Sequence, residues 1–326
     1  MYYHLIMWGD YRWNKTDLIQ KLLVELEALK LIFETLPQLP HVEEKLRRLS
    51  LLKSSVYSAR IEGFEDTELN PKQESQNLLE VYNKIYSGTY SGELSLNLIK
   101  DFHKQVLKDI ADGGHLRHES WAIFNQAGVA IANTPAPSEL PSLMDGYLNF
   151  INPLIEPIPI VAAVAQFVFE KIHPLPDGNG RVGRLISTFV LHNGNYSFKS
   201  QIPLEEYIEK HRESYYFALT PSKDATEFIE FFLTALVEQG KETLQKIQNT
   251  NQSTVDPTQT LSLRQEEIFE IIKDHPNCTF DFIKRRFLSV SNQTLYRDLA
   301  ELIKRNLIIR RGATTSAVYW TGHDRL

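Results

Sequence analysis

The chain has 326 residues, 42% of them hydrophobic and 23% charged, with a formal net charge of −6. That length predicts two or three domains, and that composition a soluble globular protein. Its apolar runs fall short of the roughly 18 residues a membrane span needs, and no signal-peptide pattern stands at the N-terminus. A cytoplasmic protein without membrane contact is therefore expected, and the single cysteine, Cys278, excludes an internal disulfide framework and a cysteine-based zinc site.

Residues 14–63 read as helices. Leu18, Leu22, Leu23, Leu26 and Leu29 recur at helical spacing, with Asn14 or Thr16 as the cap. Trp8 and Trp13 are expected to dock the segment before them. Beyond Pro37 and Pro40, the residues Val42, Leu46, Leu49, Leu52, Val56 and Ile61 trace one face of a second helix, which Gly63 should stop. Further helices are predicted over 71–86 and 94–110. Residues 120–124 and 129–132 then read as a short hairpin. Prolines 135, 137 and 141 precede helices near 143–151, 159–172, 181–193, 204–218 and 225–247. The polar, apolar-poor stretch 248–260 reads as a linker.

The densest chemistry lies in His173-Pro174-Leu175-Pro176-Asp177-Gly178-Asn179-Gly180-Arg181-Val182-Gly183-Arg184. Pro174 favours an extended His173 and so should end the preceding helix. Glycines 178 and 180 permit positive φ angles and a close approach of backbone N–H groups. A helix starting near Gly180 would aim those groups at phosphate oxygens. Arg181 and Arg184, three apart, share a helical face. Asp177 is a hard oxygen ligand suited to Mg²⁺, and His173 can accept a hydroxyl proton. The Gly178-x-Gly180-x-x-Gly183 spacing also fits a dinucleotide fingerprint, with Glu205 or Glu206 as the ribose acid. The preceding run, however, reads as helix rather than strand. A Walker loop is excluded because no Lys-Ser/Thr follows, and a plain surface turn leaves the histidine, aspartate and arginines unexplained.

The twelve residues resemble the signature of the Fic (filamentation-induced-by-cyclic-AMP) family, His-x-Phe-x-Asp/Glu-Gly-Asn-Gly-Arg-x-x-Arg. Leu175 departs from it by replacing the usual Phe, an apolar anchor. Gly114-x-x-Arg117, the hairpin, the proline-rich segment and Arg212-x-x-Tyr215-Tyr216-x-x-Leu219 extend the resemblance over about residues 40–240. It implies a mainly α fold: a Fic-type helical core with a short β-hairpin flap. It also implies transfer of AMP from ATP to a Ser, Thr or Tyr hydroxyl of a target protein, or of the chain itself. On that basis His173 is the catalytic base and Asp177 holds Mg²⁺. Gly178, Asn179, Gly180, Arg181, Val182, Gly183 and Arg184 bind ATP, with Tyr215 near the nucleotide. Val129, Ala130, Ile131 and Ala132 form a flap that aligns the target backbone by β-augmentation.

Ser58-Ala59-Arg60-Ile61-Glu62-Gly63 resembles the inhibitory signature of the same family, Ser/Thr-x-x-x-Glu-Gly/Asn. A carboxylate at the negative end of a helix is better tolerated with a cationic partner. The resemblance implies that Glu62, with Ser58 on the same face, pairs with Arg184 and switches the enzyme off.

Residues 261–326 carry 11 Lys/Arg against 8 Asp/Glu, while the remainder is acidic at −9. Helices over 263–272, 278–287 and 291–304, followed by β-prone 306–310 and 317–320, resemble a winged helix-turn-helix. Asn292, Gln293, Thr294, Tyr296 and Arg297 form its exposed recognition face. Both DNA and protein remain open as its partner. The expected domains are thus 1–93, an N-terminal helical region; 94–247, the catalytic core; 248–260, the linker; and 261–326, the winged helix-turn-helix. A homodimer is compatible with this layout. Two other readings stay open: a transcription regulator using the Fic body as a sensing or dimerising scaffold, and a Fic enzyme that removes AMP. His103, His115 and His118 are expected to be structural, and Phe228, Phe231, Phe232 and Leu233 to be core.

Overall fold

The computed structural model describes residues 11–38, 40–65, 67–68, 71–120, 122–124, 130–220, 222–252, 261–287, 290–312 and 317–321. Residues 1–248 and 249–326 form two compact units. In the first, the chain runs through α1 (Asp17–Thr35), α2 (Pro40–Ile61), α3 (Gln73–Tyr86) and α4 (Leu96–Val106). The hairpin β1 (Ala122–Phe124) and β2 (Ala130–Asn133) follows, then α5 (Leu140–Ile151), α6 (Ile158–Ile172), α7 (Asn179–Asn193), α8 (Leu204–Lys210), α9 (Arg212–Ala218) and α10 (Thr226–Gln252).

The centre of this unit is a helix with no polar face. α6 carries no charge before Glu170, and an all-apolar helix must be covered on every side. Every residue from Pro159 to Phe169 is buried. Phe167, Val168 and Phe169, all at 0% exposure, each contribute about 1.5–3 kcal/mol by leaving water. α7 returns beside α6 and buries Val182, Leu185, Ile186 and Phe189. Tyr147 of α5 donates its hydroxyl to the Ala165 carbonyl of α6 at 3.0 Å, and Phe102 of α4 meets Phe189 edge-on with ring centres 6.1 Å apart. α2 packs on α3 and α8 and reaches α7, so its C-terminal end arrives at the start of α7.

The entry to α1 follows the sequence expectation. Thr16 is the N-cap and accepts the Ile19 N–H at 3.2 Å. Trp13 is 2% exposed, whereas Trp8 lies outside the described residues. β1 and β2 pair antiparallel with Ile123 opposite Ala132 and an irregularity before Phe124. Val129 and the turn residues of the hairpin also lie outside the described residues.

Three expected helices change their bounds. α4 stops at Val106, not 110, because Leu107 leaves helical geometry and Asp109 takes φ +61°. The run 204–218 divides at His211, whose φ of −120° and ψ of 37° lie outside the helical region. α10 continues to Gln252, so the first residues of the expected linker are helical: they extend a helix already held in the core through Ile247, and adding residues to a formed helix is easy. Residues 253–260 lie outside the described residues.

The second unit contains β3 (Cys278–Thr279), β4 (Ile308–Arg311), β5 (Val318–Thr321) and the helices α11 (Leu263–Asp274), α12 (Phe280–Lys284) and α13 (Asn292–Lys304). Its strands lie in the order β3-β5-β4, all antiparallel. The expected helix over 278–287 is shorter because Cys278 and Thr279 pair with Tyr319 and Val318. Thr279 then caps α12 by accepting the Phe282 N–H. Ser291 caps α13 as expected, and Leu295, Leu299 and Leu302 face a core shared with Ile268, Ile283 and Tyr319.

Candidate active site

His173 caps α6 in left-handed geometry, φ 49° and ψ 57°, and donates its N–H to the Phe169 carbonyl at 2.9 Å. The expectation of an extended residue is corrected here. A left-handed residue also avoids the α region that Pro174 disfavours, and it closes the last helical turn as well. Arg117 fixes the backbone beyond it. Its N–H bonds the Pro174 carbonyl at 2.9 Å and its Nε the His173 carbonyl at 2.8 Å, while its Nη1 and Nη2 reach the carbonyls of Glu119 and Pro135 at either side of the hairpin. Asn179 braces the loop from inside. Its Nδ2 donates to the Leu175 carbonyl and its Oδ1 accepts the Leu175 N–H, both at 2.9 Å. Its carboxamide therefore shapes the loop and is not free to face phosphate. Leu175 is 1% exposed, so it anchors the turn in place of a phenylalanine.

Gly178, at φ +73°, is the N-cap of α7. The first amides of a helix have no partner within it, which leaves those of Asn179, Gly180 and Arg181 pointing out of the positive end. Val182 differs from the expectation. Its N–H is taken by the Gly178 carbonyl at 2.9 Å and its side chain is core, so it supports the helix and offers nothing to a ligand.

Arg181 is 1% exposed. It meets Asp177 at 3.1 Å and the Phe64 ring at 5.1 Å, yet its Nε and Nη1 are buried without an acceptor among the described residues. Buried donors left unpaired cost free energy until an anion arrives. The Asp177 side chain is 69% exposed beside them. A nucleotide-bound magnesium ion takes one or two carboxylates and completes its shell with phosphate oxygens and water. Asp177 fits that role. No group of three or more His, Cys, Asp or Glu able to hold a metal occurs among the described residues.

Arg184 is wholly buried. Its Nε donates to Ser58 Oγ at 3.0 Å, and its Nη2 donates both to the Ser58 carbonyl at 2.8 Å and to Glu62 Oε1 at 2.9 Å. Burial works against its charge. The Glu62 carboxylate, followed by Tyr215 and Glu170, nevertheless holds the guanidinium pKa above its usual value. The same carboxylate lies over Gly180, where an added Cβ would come within 2.2 Å of Oε1. Glu62 thus stands at the N-terminal turn of α7, where an anion is favoured. Tyr215 lies behind Arg184, fully buried, with its hydroxyl accepting from Gln166 Nε2 at 3.0 Å.

Burial lowers the pKa of His173, partly offset by a hydrogen bond to the Glu170 carbonyl, so the imidazole is neutral at neutral pH. Glu170 itself carries no sequence expectation. Its carboxyl is pushed up to about 8, first by burial and then by Glu62. Its Oε1 fills the space left by the missing Cβ of Gly183, 2.7 Å from where that atom would stand. The signal for it was the lone acid in an apolar helix. His103 is also buried. Its Nδ1 accepts the Gly114 N–H at 3.0 Å, and burial lowers its pKa to about 4. Glu205 and Glu206 serve structure: Tyr82 bonds the first at 2.6 Å, and Lys53 and Lys210 pair with the second.

Residues 93–191 match the model of the Fic/DOC family. Over 146 residues the chain is 30% identical to the protein adenylyltransferase Fic of Aedes aegypti, covering 42% of this chain and 27% of that protein. Over 84 residues it is 36% identical to a probable protein adenylyltransferase of Aquifex aeolicus, covering 24% of this chain and 25% of that one. The chain thus spans about a quarter of the length of these curated relatives. A Fic family protein from Desulfovibrio desulfuricans G20 has a similar fold, with a TM-score of 0.65 at 22% identity over 95% of this chain and 98% of that one. Fic-1 of C. elegans, residues 134–508, gives a TM-score of 0.57 at 17% identity over 71% of this chain and 73% of that one.

Proposed function

We propose that this chain, which carries a Fic/DOC domain at residues 93–191, transfers AMP from ATP to a Ser, Thr or Tyr hydroxyl of a protein and is held inactive by Glu62. The observation that supports the reading best is the placement of Glu62. Its carboxylate pairs with Arg184 and covers Gly180 at the positive end of α7, where a nucleotide phosphate would bind.

In the proposed reaction, the target hydroxyl oxygen attacks the α-phosphorus. The bond from that phosphorus to the oxygen bridging to the β-phosphate breaks, and pyrophosphate leaves. The hydroxyl proton passes to His173. One ring nitrogen of that neutral imidazole is oriented by the Glu170 carbonyl, which leaves the other to accept the proton. The unpaired Nε and Nη1 of Arg181 and the first amides of α7 neutralise phosphate oxygens. Asp177 would hold Mg²⁺, which supplies charge neutralisation to the phosphates when bound. Arg184, once free of Glu62, takes the outer phosphate. Ala130, Ile131 and Ala132, with Val129, would pair with the target backbone as an added strand. The cytoplasm is the proposed site of action; no described helix is long and apolar enough to cross a membrane.

For residues 261–326 we propose a winged helix-turn-helix. Three helices with a small antiparallel sheet support it, as do Asn292, Gln293, Tyr296 and Arg297 exposed on α13. If DNA is the partner, the full-length protein should shift DNA in a gel and the shift should weaken steeply with salt; no shift at low salt would favour a protein partner.

The enzymatic reading is tested by incubating Glu62→Gly protein and the Glu62→Gly/His173→Ala double variant with α-labelled ATP and cell lysate. Label should pass to protein with the first variant and fail with the second, although both bind ATP. Equal labelling by the two would remove His173 from the role of base.

A further inference from the structure

The last turn of α2 ends in a regular way. Gly63, at φ +91°, donates to the Arg60 carbonyl at 2.8 Å, and Phe64 donates to the Ala59 carbonyl at 3.3 Å. This Schellman pattern satisfies the carbonyls of Ala59 and Arg60. It leaves the Ile61 carbonyl, at the residue before Glu62, without a backbone partner among the described residues.

α9 supplies a donor to that carbonyl and a second donor to the one before it. Tyr216 donates its hydroxyl to the Ile61 carbonyl at 3.0 Å, and Arg212 Nη2 donates to the Arg60 carbonyl at 2.7 Å. Arg212 is itself fixed by Glu209, at 2.6 Å, which also meets Arg60 at 3.4 Å. A cation at a helix C-terminus is favoured by the helix dipole. The next residue inward, Tyr215, is wholly buried, and its electrostatic neighbours include Arg184, Glu170 and Glu62. One short helix therefore bonds the end of α2 that carries Glu62 and sets Tyr215 among the charges of the Glu62–Arg184 pair.

We infer that Arg212 and Tyr216 are positioning residues that act through Glu62: by binding the carbonyls of Arg60 and Ile61 they clasp the end of α2 and hold the Glu62 carboxylate on Arg184 and Gly180. This inference rests on the reading of Glu62 as a brake. The break at His211, which starts α9 afresh beside the end of α2, is what makes the clasp possible. Tyr216 remains a donor throughout the physiological range, since burial followed by Glu62 pushes its pKa up to about 12. Tyr216 is nonetheless 42% exposed, so a partner reaching this surface can compete for its hydroxyl.

Tyr216→Phe removes the bond and keeps the ring. Hydrogen exchange of the amides of Glu62, Gly63 and Phe64 should accelerate by about 2- to 10-fold, the worth of one neutral hydrogen bond. AMP transfer should rise by a similar factor. The rise should vanish when Tyr216→Phe is combined with Glu62→Gly, because no brake is left to release. Arg212→Met should act in the same direction, and Arg212→Lys, which keeps the charge at the helix end, should restore part of the restraint. Unchanged exchange in Tyr216→Phe overturns the clasp, as does a rise in transfer that persists without Glu62. If Glu62→Gly alone leaves transfer unchanged, the brake reading has failed, and the exchange measurement still decides whether the clasp exists.

Discussion

The pair formed by Glu62 and Arg184 is asymmetric: at 2.9 Å separation the arginine side chain is wholly buried and the glutamate side chain is 28% exposed. Arg184 cannot leave without losing Ser58, which binds it twice. Glu62 can swing into water, where a carboxylate is well solvated. The two partners thus have different tasks, one fixed and one movable. Because Glu62 keeps one edge in water, a shift of a few kcal/mol between closed and open populations is enough to operate it.

Ser58 holds the fixed partner. Ser58→Ala leaves the buried Nε of Arg184 without its acceptor, and a lost hydrogen bond to a charged group costs about 1.5–3 kcal/mol. Urea denaturation should show a loss of that size.

Glu170 makes stability depend on pH. Its folded pKa, about 8, lies above the usual 4.5, so the unfolded chain releases this proton first. Between about pH 4.5 and 8 the native state holds one more proton than the unfolded state, and stability falls as pH rises through that window. Glu170→Gln should be more stable than the parent at pH 8, by an amount of order a few kcal/mol, and nearly equal to it at pH 4.5. Parallel urea titrations at the two pH values test this. A parent–variant difference that does not grow with pH would contradict it.

His173 sets the pH profile of transfer. Its pKa is lowered by burial, so the base form is already present at pH 6.5 and above. Initial rates of the Glu62→Gly protein should fall only as pH drops below 6.5. A decline centred at 7 or higher would mean that another group is titrating.

Arg117 ties four carbonyl or loop positions together with one side chain and its own amide. Arg117→Met should cost about 2–4 kcal/mol, because the carbonyls of His173, Glu119 and Pro135 lose their donors. Transfer should also fall in the Glu62→Gly background, since the His173 carbonyl then loses the donor that fixes it. Comparison of melting temperature with initial rate separates the two effects.

Much of this arrangement was legible in the residues themselves. The spacing of glycines and arginines after His173 pointed to a helix N-terminus facing phosphate, and α7 begins there. Gly63 announced the end of α2, and Ser291 the start of α13. What escaped was decided by tertiary contact. Asn179 is a ligand by residue type, yet it bonds Leu175, because a buried loop must satisfy its own amides first. Glu170 sat in an apolar run with nothing to announce the space beside Gly183 that receives it. Arg212 and Tyr216 were visible as a spaced pair, but the α2 carbonyls they reach lie some 150 residues earlier in the chain. Cys278 and Thr279 join a strand because β5 offers them an edge, which no local pattern records.

In the proposed inactive state Glu62 occupies the place of a nucleotide phosphate. This placement is tested most directly by measuring ATP affinity and α-labelled AMP transfer for the parent and for Glu62→Gly side by side, with His173→Ala as the inert reference. Glu62→Gly should bind ATP more tightly and transfer AMP at least tenfold faster than the parent. Equal transfer by parent and Glu62→Gly, with both above the His173→Ala reference, would contradict it.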